Sequence, residues 1–151
     1  PETNEILYKA PWNMVGYYKS PEKTAETLKD GWLHTGDLAY EDQDGFFFIT
    51  GRLKELIIKG GENIAPREID DILYAHPAVL EAAAFGIDDE HYGQEVMASV
   101  ALCPGMEVSC DELLEMCVKK FGTYKAPKEL SILNELPKGP SGKIQRLKLS
   151  A

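Results

Sequence analysis

The chain changes its apolar periodicity at Gly51-Arg52, and that change limits its fold to β-rich structure followed by mixed helix and strand. Before it, Leu33 to Tyr40 and Phe46 to Thr50 read as strands, the second made wholly of aromatic and β-branched residues. They flank the turn sequence Asp42-Gln43-Asp44-Gly45 and predict a hairpin. One short helix is expected ahead of it at Ser20-Pro21-Glu22: a serine N-cap, proline at the first helical position and an acid near the positive end of the dipole. Gly31 is the expected stop. After Arg52 the pattern predicts a strand over Glu55 to Lys59, then a helix opened by Pro66 with Ile69, Ile72 and Leu73 on one face. Strands at Val79 to Gly86 and Glu95 to Leu102 follow. A helix begins at Ser109, where Ser109 and Glu112 fit a capping box, and a last strand lies near Leu130 to Leu133. Strands separated by helices give an α+β class, a small sheet with helices packed on it, preceded by β-hairpins.

The chain's 151 residues suffice for one or two small domains with a real core. A net charge of −9 argues against a nucleic-acid surface, which needs a basic stripe to neutralise phosphates. Uncharged apolar runs such as Ala82 to Ile87 are too short to span a bilayer. The N-terminus lacks the basic-then-apolar order of a signal peptide, so a cytoplasmic protein is expected. Cys103, Cys110 and Cys117 show neither C-x-x-C spacing nor a partnering histidine cluster. Cys110, Leu113, Leu114, Cys117, Val118 and Phe121 repeat at helical spacing, which makes the thiols of that helix reduced core groups. His34, His76 and His91 are scattered, and capping or surface roles are their ordinary reading.

Four stretches bear on chemistry. Asp37 in Thr35-Gly36-Asp37 stands beside a glycine that leaves room for close approach, and its carboxylate can accept two hydrogen bonds from the cis hydroxyls of a ribose. On the tripeptide alone, an edge or turn aspartate is the better account. Arg52 brings a planar, permanently charged fork suited to hydroxyl and phosphate oxygens, or is a solvated arginine at a strand end. In Lys59-Gly60-Gly61-Glu62-Asn63-Ile64-Ala65-Pro66, a strand-to-helix turn with positive φ explains the glycines but not Glu62-Asn63-Ile64. Leu136-Pro137-Lys138-Gly139-Pro140-Ser141-Gly142-Lys143 is a Gly/Pro loop that presents Lys143, where an ammonium can meet an anion. It is not a Walker A loop: the glycines are too close and Ile144 replaces the required Ser/Thr.

In this order, Thr35-Gly36-Asp37, Gly51-Arg52-Leu53-Lys54-Glu55, Lys59 to Pro66 and the Lys143 loop resemble the C-terminal signature of the adenylate-forming enzymes, the superfamily of acyl-CoA synthetases, peptide-synthetase adenylation domains and luciferases. Gly-Glu-Asn-Ile resembles the acid:CoA ligases most. The resemblance runs from about Gly16 to Leu149. It implies that residues 1–53 are the β-rich, barrel-like tail of a large N-terminal AMP-binding domain and residues 54–151 the small mobile C-terminal domain. On this reading the chain starts within a longer protein, since it opens without methionine and holds no Gly/Ser/Thr-rich phosphate loop.

The resemblance also implies roles. Asp37 and Arg52 match residues that contact ATP and the adenylate, Lys54 matches the hinge, and Lys143 matches the lysine of the adenylation step. Gly60, Gly61 and Glu62 match the loop lining the pantetheine channel. Tyr124 and Lys128 match a segment meeting the CoA nucleotide, where Ala126 departs from relatives with a basic residue. The implied partners are a carboxylic acid (fatty, aryl or short-chain), ATP, CoA and the N-terminal domain. Mg is expected with ATP, although no cation ligand is assignable in this chain. The alternatives are an adenylation domain that loads a carrier protein, or a non-catalytic docking module. The chain alone is expected to lack ligase activity.

Overall fold

A computed structural model describes residues 3–150 as two compact units, one ending at Lys54 and the other beginning at Glu55. The first is built on β3 (Trp32–Glu41), a long strand paired antiparallel with all its neighbours. β1 (Asn4–Tyr8) covers one edge, with Asn4 opposite Ala39 and Tyr8 opposite Leu33. The other edge is shared by the two-residue β2 (Leu28–Lys29) and by β4 (Phe47–Arg52). The register places Asp37 opposite Arg52, with a bulge between Leu38 and Ala39.

Helix α1 (Pro21–Thr27) starts where expected, but the Ser20 side chain makes no capping bond. The Thr24 hydroxyl instead donates to the Ser20 carbonyl at 2.8 Å and accepts the Tyr17 N–H at 2.9 Å. The helix ends at Thr27 rather than at Gly31, because Leu28 turns extended to pair with Leu33. Gly31, at φ +80°, belongs to the turn between β2 and β3.

The 3-10 turn Leu53–Glu55 ends the first unit and opens the second at Glu55, so the predicted strand shortens to β5 (Ile57–Lys59). A strand absent from the sequence reading follows, β6 (Glu62–Ile64), which turns Lys59 to Ile64 into a hairpin with Gly60-Gly61 at its tip. The central strand is β8 (Gly93–Leu102). β7 (Val79–Asp89) runs antiparallel along its whole length; β5 and the parallel β9 (Glu129–Leu133) share its other edge.

Helix α2 (Pro66–Tyr74) buries Ile69 and Leu73, spaced one turn apart, and stops short of Pro77, whose ring cannot continue a helix. Helix α3 (Cys110–Lys125) is capped by Ser109, whose hydroxyl accepts the Glu112 N–H at 3.1 Å. The box is only half closed, since the Glu112 carboxylate faces His76 at 3.4 Å. Gly122, at φ +74° and ψ 174°, breaks α3 before its last residues.

Both helices cover one face of the sheet: Ile69, Leu73, Leu113 and Cys117 pack with Ala82, Ala84, Val96, Ala98 and Val100. Burial pushes the Cys117 thiol up to about 11, so it stays protonated and inert at neutral pH. Residues of opposite parity, Ala83 and Ala101, meet Leu136, Ile144 and Leu149 on the other face. Alanines on both sides let a helix layer and an irregular C-terminal segment approach the sheet closely, which explains why these strands read as continuously apolar. No helix among the described residues is long and apolar enough to cross a membrane.

Candidate functional site

Three groups of side chains contain the residues singled out by sequence, apart from Lys54, which lies in the 3-10 turn Leu53–Glu55. In the first unit, Thr35-Gly36-Asp37 lies mid-strand on β3. Arg52 Nε sits 3.0 Å from Asp37 Oδ1, with Arg52 59% exposed. Glu5 on β1 holds this stretch from the other side: its Oε1 accepts the Gly36 N–H at 2.9 Å, and its Oε2 lies 2.9 Å from His34 Nδ1. The His34 bond, with help from the Gly36 N–H and against partial desolvation, lowers the Glu5 pKa below the ordinary carboxylate value. Sequence singled out Asp37 and Arg52; it gave Glu5 no role.

The second group surrounds the hairpin tip. Gly60 (φ +55°) and Gly61 (φ +84°) both occupy the left-handed region that a Cβ disfavours. Gly60 has a second constraint, because a Cβ there would run into the Tyr124 hydroxyl. That hydroxyl donates to the Lys59 carbonyl at 2.9 Å, and the Gly60 N–H donates to the Tyr92 carbonyl at 2.8 Å. Glu62 pairs with Lys125 at 2.6 Å. Beneath the tip, Lys59 is only 5% exposed and its ammonium lies 2.5 Å from Glu95 Oε1. The rings of Tyr92 and Tyr124 flank it at 5.4 and 5.0 Å, each a cation–π contact. The break at Gly122 brings Tyr124 and Lys125 to the hairpin. Gly60, Gly61, Glu62 and Tyr124 are therefore one local structure. Exposed Lys128 leads into β9, its amide bonded to the Val96 carbonyl at 2.8 Å.

The third group holds the lysine loop. Lys138 and Ile144 form an isolated antiparallel bridge. The Gly139 N–H donates to the Lys143 carbonyl at 2.8 Å and the Gln145 N–H to the Pro137 carbonyl at 2.8 Å. Lys143 is exposed at this tip. On its near side Lys138 pairs with Glu81 at 2.7 Å. On its far side Arg146 reaches under the loop to four acceptors: Asp70 Oδ1 at 3.2 Å, Asp70 Oδ2 at 2.5 Å, the Ala84 carbonyl at 2.9 Å and Glu55 Oε2 at 3.1 Å.

Asp70 is 4% exposed and also accepts the Ala84 N–H at 2.7 Å. Burial raises its pKa against the pull of Arg146, while desolvation of Arg146 is more than offset by Asp70 and Glu55, so the guanidinium stays charged. Arg146 and Asp70 carry no role in the sequence reading. The only local signal is an acid beside Ile69 on a short amphipathic helix, and it does not name a partner.

Residues 68–143 match the family model described as the AMP-binding enzyme C-terminal domain. The chain is 54% identical over 149 residues to a sulfoacetate–CoA ligase of Cupriavidus necator, aligning 98% of itself with 29% of that protein. A fatty acid–[acyl-carrier-protein] ligase of Streptomyces coeruleorubidus is 43% identical over 145 residues, 96% of this chain and 28% of the relative. Among solved structures, the o-succinylbenzoate CoA synthetase of Bacillus subtilis in complex with its acyl-adenylate intermediate superposes with a TM-score of 0.90 at 37% identity, over 99% of this chain and 31% of that one. The chain thus spans under a third of the length of the relatives it matches. An α+β body, a glycine hairpin and an anchored lysine loop, together with the family match, establish that this chain belongs to the AMP-binding enzyme C-terminal domain family.

Proposed function

We propose that the chain acts within an AMP-forming acid:CoA ligase, with residues 1–53 closing a larger N-terminal AMP-binding domain and residues 54–151 forming its mobile C-terminal domain. The substrate carboxylate attacks the α-phosphorus of ATP, the bond to pyrophosphate breaks, and acyl-AMP forms. The CoA thiolate then attacks the acyl carbonyl and AMP leaves. In the first step the Lys143 ammonium offsets charge on the in-line phosphorus, acting as an electrostatic donor with no proton transfer. Asp37 and Arg52 hold the ribose and phosphate side of the nucleotide. Lys54 is the pivot about which the second unit turns between the two steps. In the second step the Gly60-Gly61 tip, bare of side chains, lines the path of the pantetheine arm, with Glu62, Tyr124 and Lys128 around it. Mg²⁺ accompanies the ATP phosphates. Among the described residues no group of three or more His, Cys, Asp or Glu is placed to hold a metal.

The observation that carries this reading is the exposed Lys143 on a loop fixed at both ends, a geometry that keeps a cation available to an anionic substrate. The test replaces the matching segment of the C. necator sulfoacetate–CoA ligase with this chain and measures acid-dependent AMP release with CoA. AMP release supports the reading. A folded chimera without it, over a broad acid panel, overturns the reading in favour of a docking module, and the isolated chain is expected to be inactive. The kinship with an acyl-carrier-protein ligase supports a second acceptor: release of the adenylate by a phosphopantetheinylated carrier alone, and not by free CoA, favours it.

A further inference from the structure

Glu55 follows the proposed pivot Lys54 in sequence, and Arg146 lies three positions past Lys143. Their side chains meet at 3.1 Å across a sequence separation of 91 residues. The guanidinium of Arg146 is mostly buried and directs three further donors to Asp70 of α2 and the Ala84 carbonyl of β7. One planar group therefore joins the first residue of the second unit, its helix layer, its sheet and the segment leaving the lysine loop. A lysine ammonium could not do this, since only the guanidinium offers several donors in a fixed fork.

We propose that Arg146 is a positioning residue for Lys143: by clamping Glu55 to the base of the lysine loop, it makes the loop turn as one body with the chain just after the pivot, so that the ammonium arrives at a fixed place for adenylation. This rests on the proposed function for its catalytic consequence, but the clamp itself is a property of the second unit. The loop's own bonds are short-range, Gly142 N–H to Gly139 carbonyl and Gly139 N–H to Lys143 carbonyl, and fix its shape without fixing where it points. Leu136, Ile144 and Leu149 seat it on the sheet through non-directional apolar contact. The directional anchors are Lys138 to Glu81 on one side and Arg146 on the other.

The test uses Glu55→Gln and Arg146→Lys. Arg146→Ala would leave Asp70 buried without its partner and is avoided. Glu55→Gln removes one half-exposed charge and leaves the Asp70 pair intact. In the 151-residue chain, hydrogen exchange at the Gly139, Gly142 and Gln145 amides is expected to quicken by about two- to fivefold in Glu55→Gln and further in Arg146→Lys, with β7 and β8 unchanged. In the active chimera, single-turnover adenylation is expected to fall by about 10- to 100-fold in Arg146→Lys, the cost of misplacing a reacting group, while thiolysis of supplied acyl-adenylate holds. Unchanged loop exchange in both variants overturns the clamp whether or not the chimera is active. Faster exchange with adenylation intact, or equal losses in both half-reactions, overturns the positioning role. An inactive parent chimera with faster loop exchange in the variants removes the functional reading and leaves the clamp standing.

Discussion

Arg52 Nε lies 3.0 Å from Asp37 Oδ1, and the two residues sit directly opposite one another on antiparallel strands. The pair is solvent-exposed enough that its own contribution to stability is small, about 0–1 kcal/mol. On the proposed reading, a nucleotide competes for both side chains at little cost.

Asp37→Ala is accordingly expected to leave the first unit folded while weakening nucleotide binding by about 1.5–3 kcal/mol, the range for hydrogen bonds to a charged group. The check is the ATP dependence of adenylation in the chimera. An unaltered dependence removes Asp37 from the site.

Glu5 gives the first unit an acid-sensitive element. Its pKa is held below the ordinary value of 4.5 chiefly by His34, with the Gly36 N–H assisting against partial desolvation. Folding therefore favours its charged form: the stabilisation is fully present above pH 4.5 and is lost as the pH falls through the lower folded value. Thermal unfolding of wild type and Glu5→Gln should differ at neutral pH and converge in acid. A gap independent of pH would contradict the assignment.

The Lys59–Glu95 pair is buried, so breaking it on one side is costlier than removing it whole. Glu95→Ala leaves an uncompensated ammonium between two tyrosines and is expected to destabilise the chain by about 3–5 kcal/mol. Replacing both, as Lys59→Met with Glu95→Leu, should cost distinctly less. Urea unfolding compares the two, and equal losses would mean that Lys59 reaches water.

Lys143→Ala should slow single-turnover adenylation in the chimera by about 100- to 1000-fold, as for loss of a transition-state donor, and spare thiolysis of pre-made acyl-adenylate. Its exposure predicts no loss of stability. Comparable losses in both steps would refute the division of labour, and no loss in either would make Lys143 a surface residue.

Local sequence was enough for α2 and α3, because Pro66 and Ser109 start them and Ile69 with Leu73, or Leu113 with Cys117, fall one turn apart on the face that is buried. It was enough as well for the strands Val79 to Gly86 and Glu95 to Leu102, although β7 runs on to Asp89 and β8 begins at Gly93, since pairing across the turn extends both. It did not foresee β6: Gly60-Gly61 reads as a plain loop until β5 is held beside β8 and Glu62 to Ile64 can fold back on it. The charged partners were the least legible. Asp70 and Arg146 are 76 residues apart, Lys59 and Glu95 36, and in sequence each looks like any solvated charge. Periodicity and capping act within a few residues and so are written in the chain itself. Which acid loses its water to a particular base depends on strand register and on what packs above the pair, and only the tertiary structure decides that.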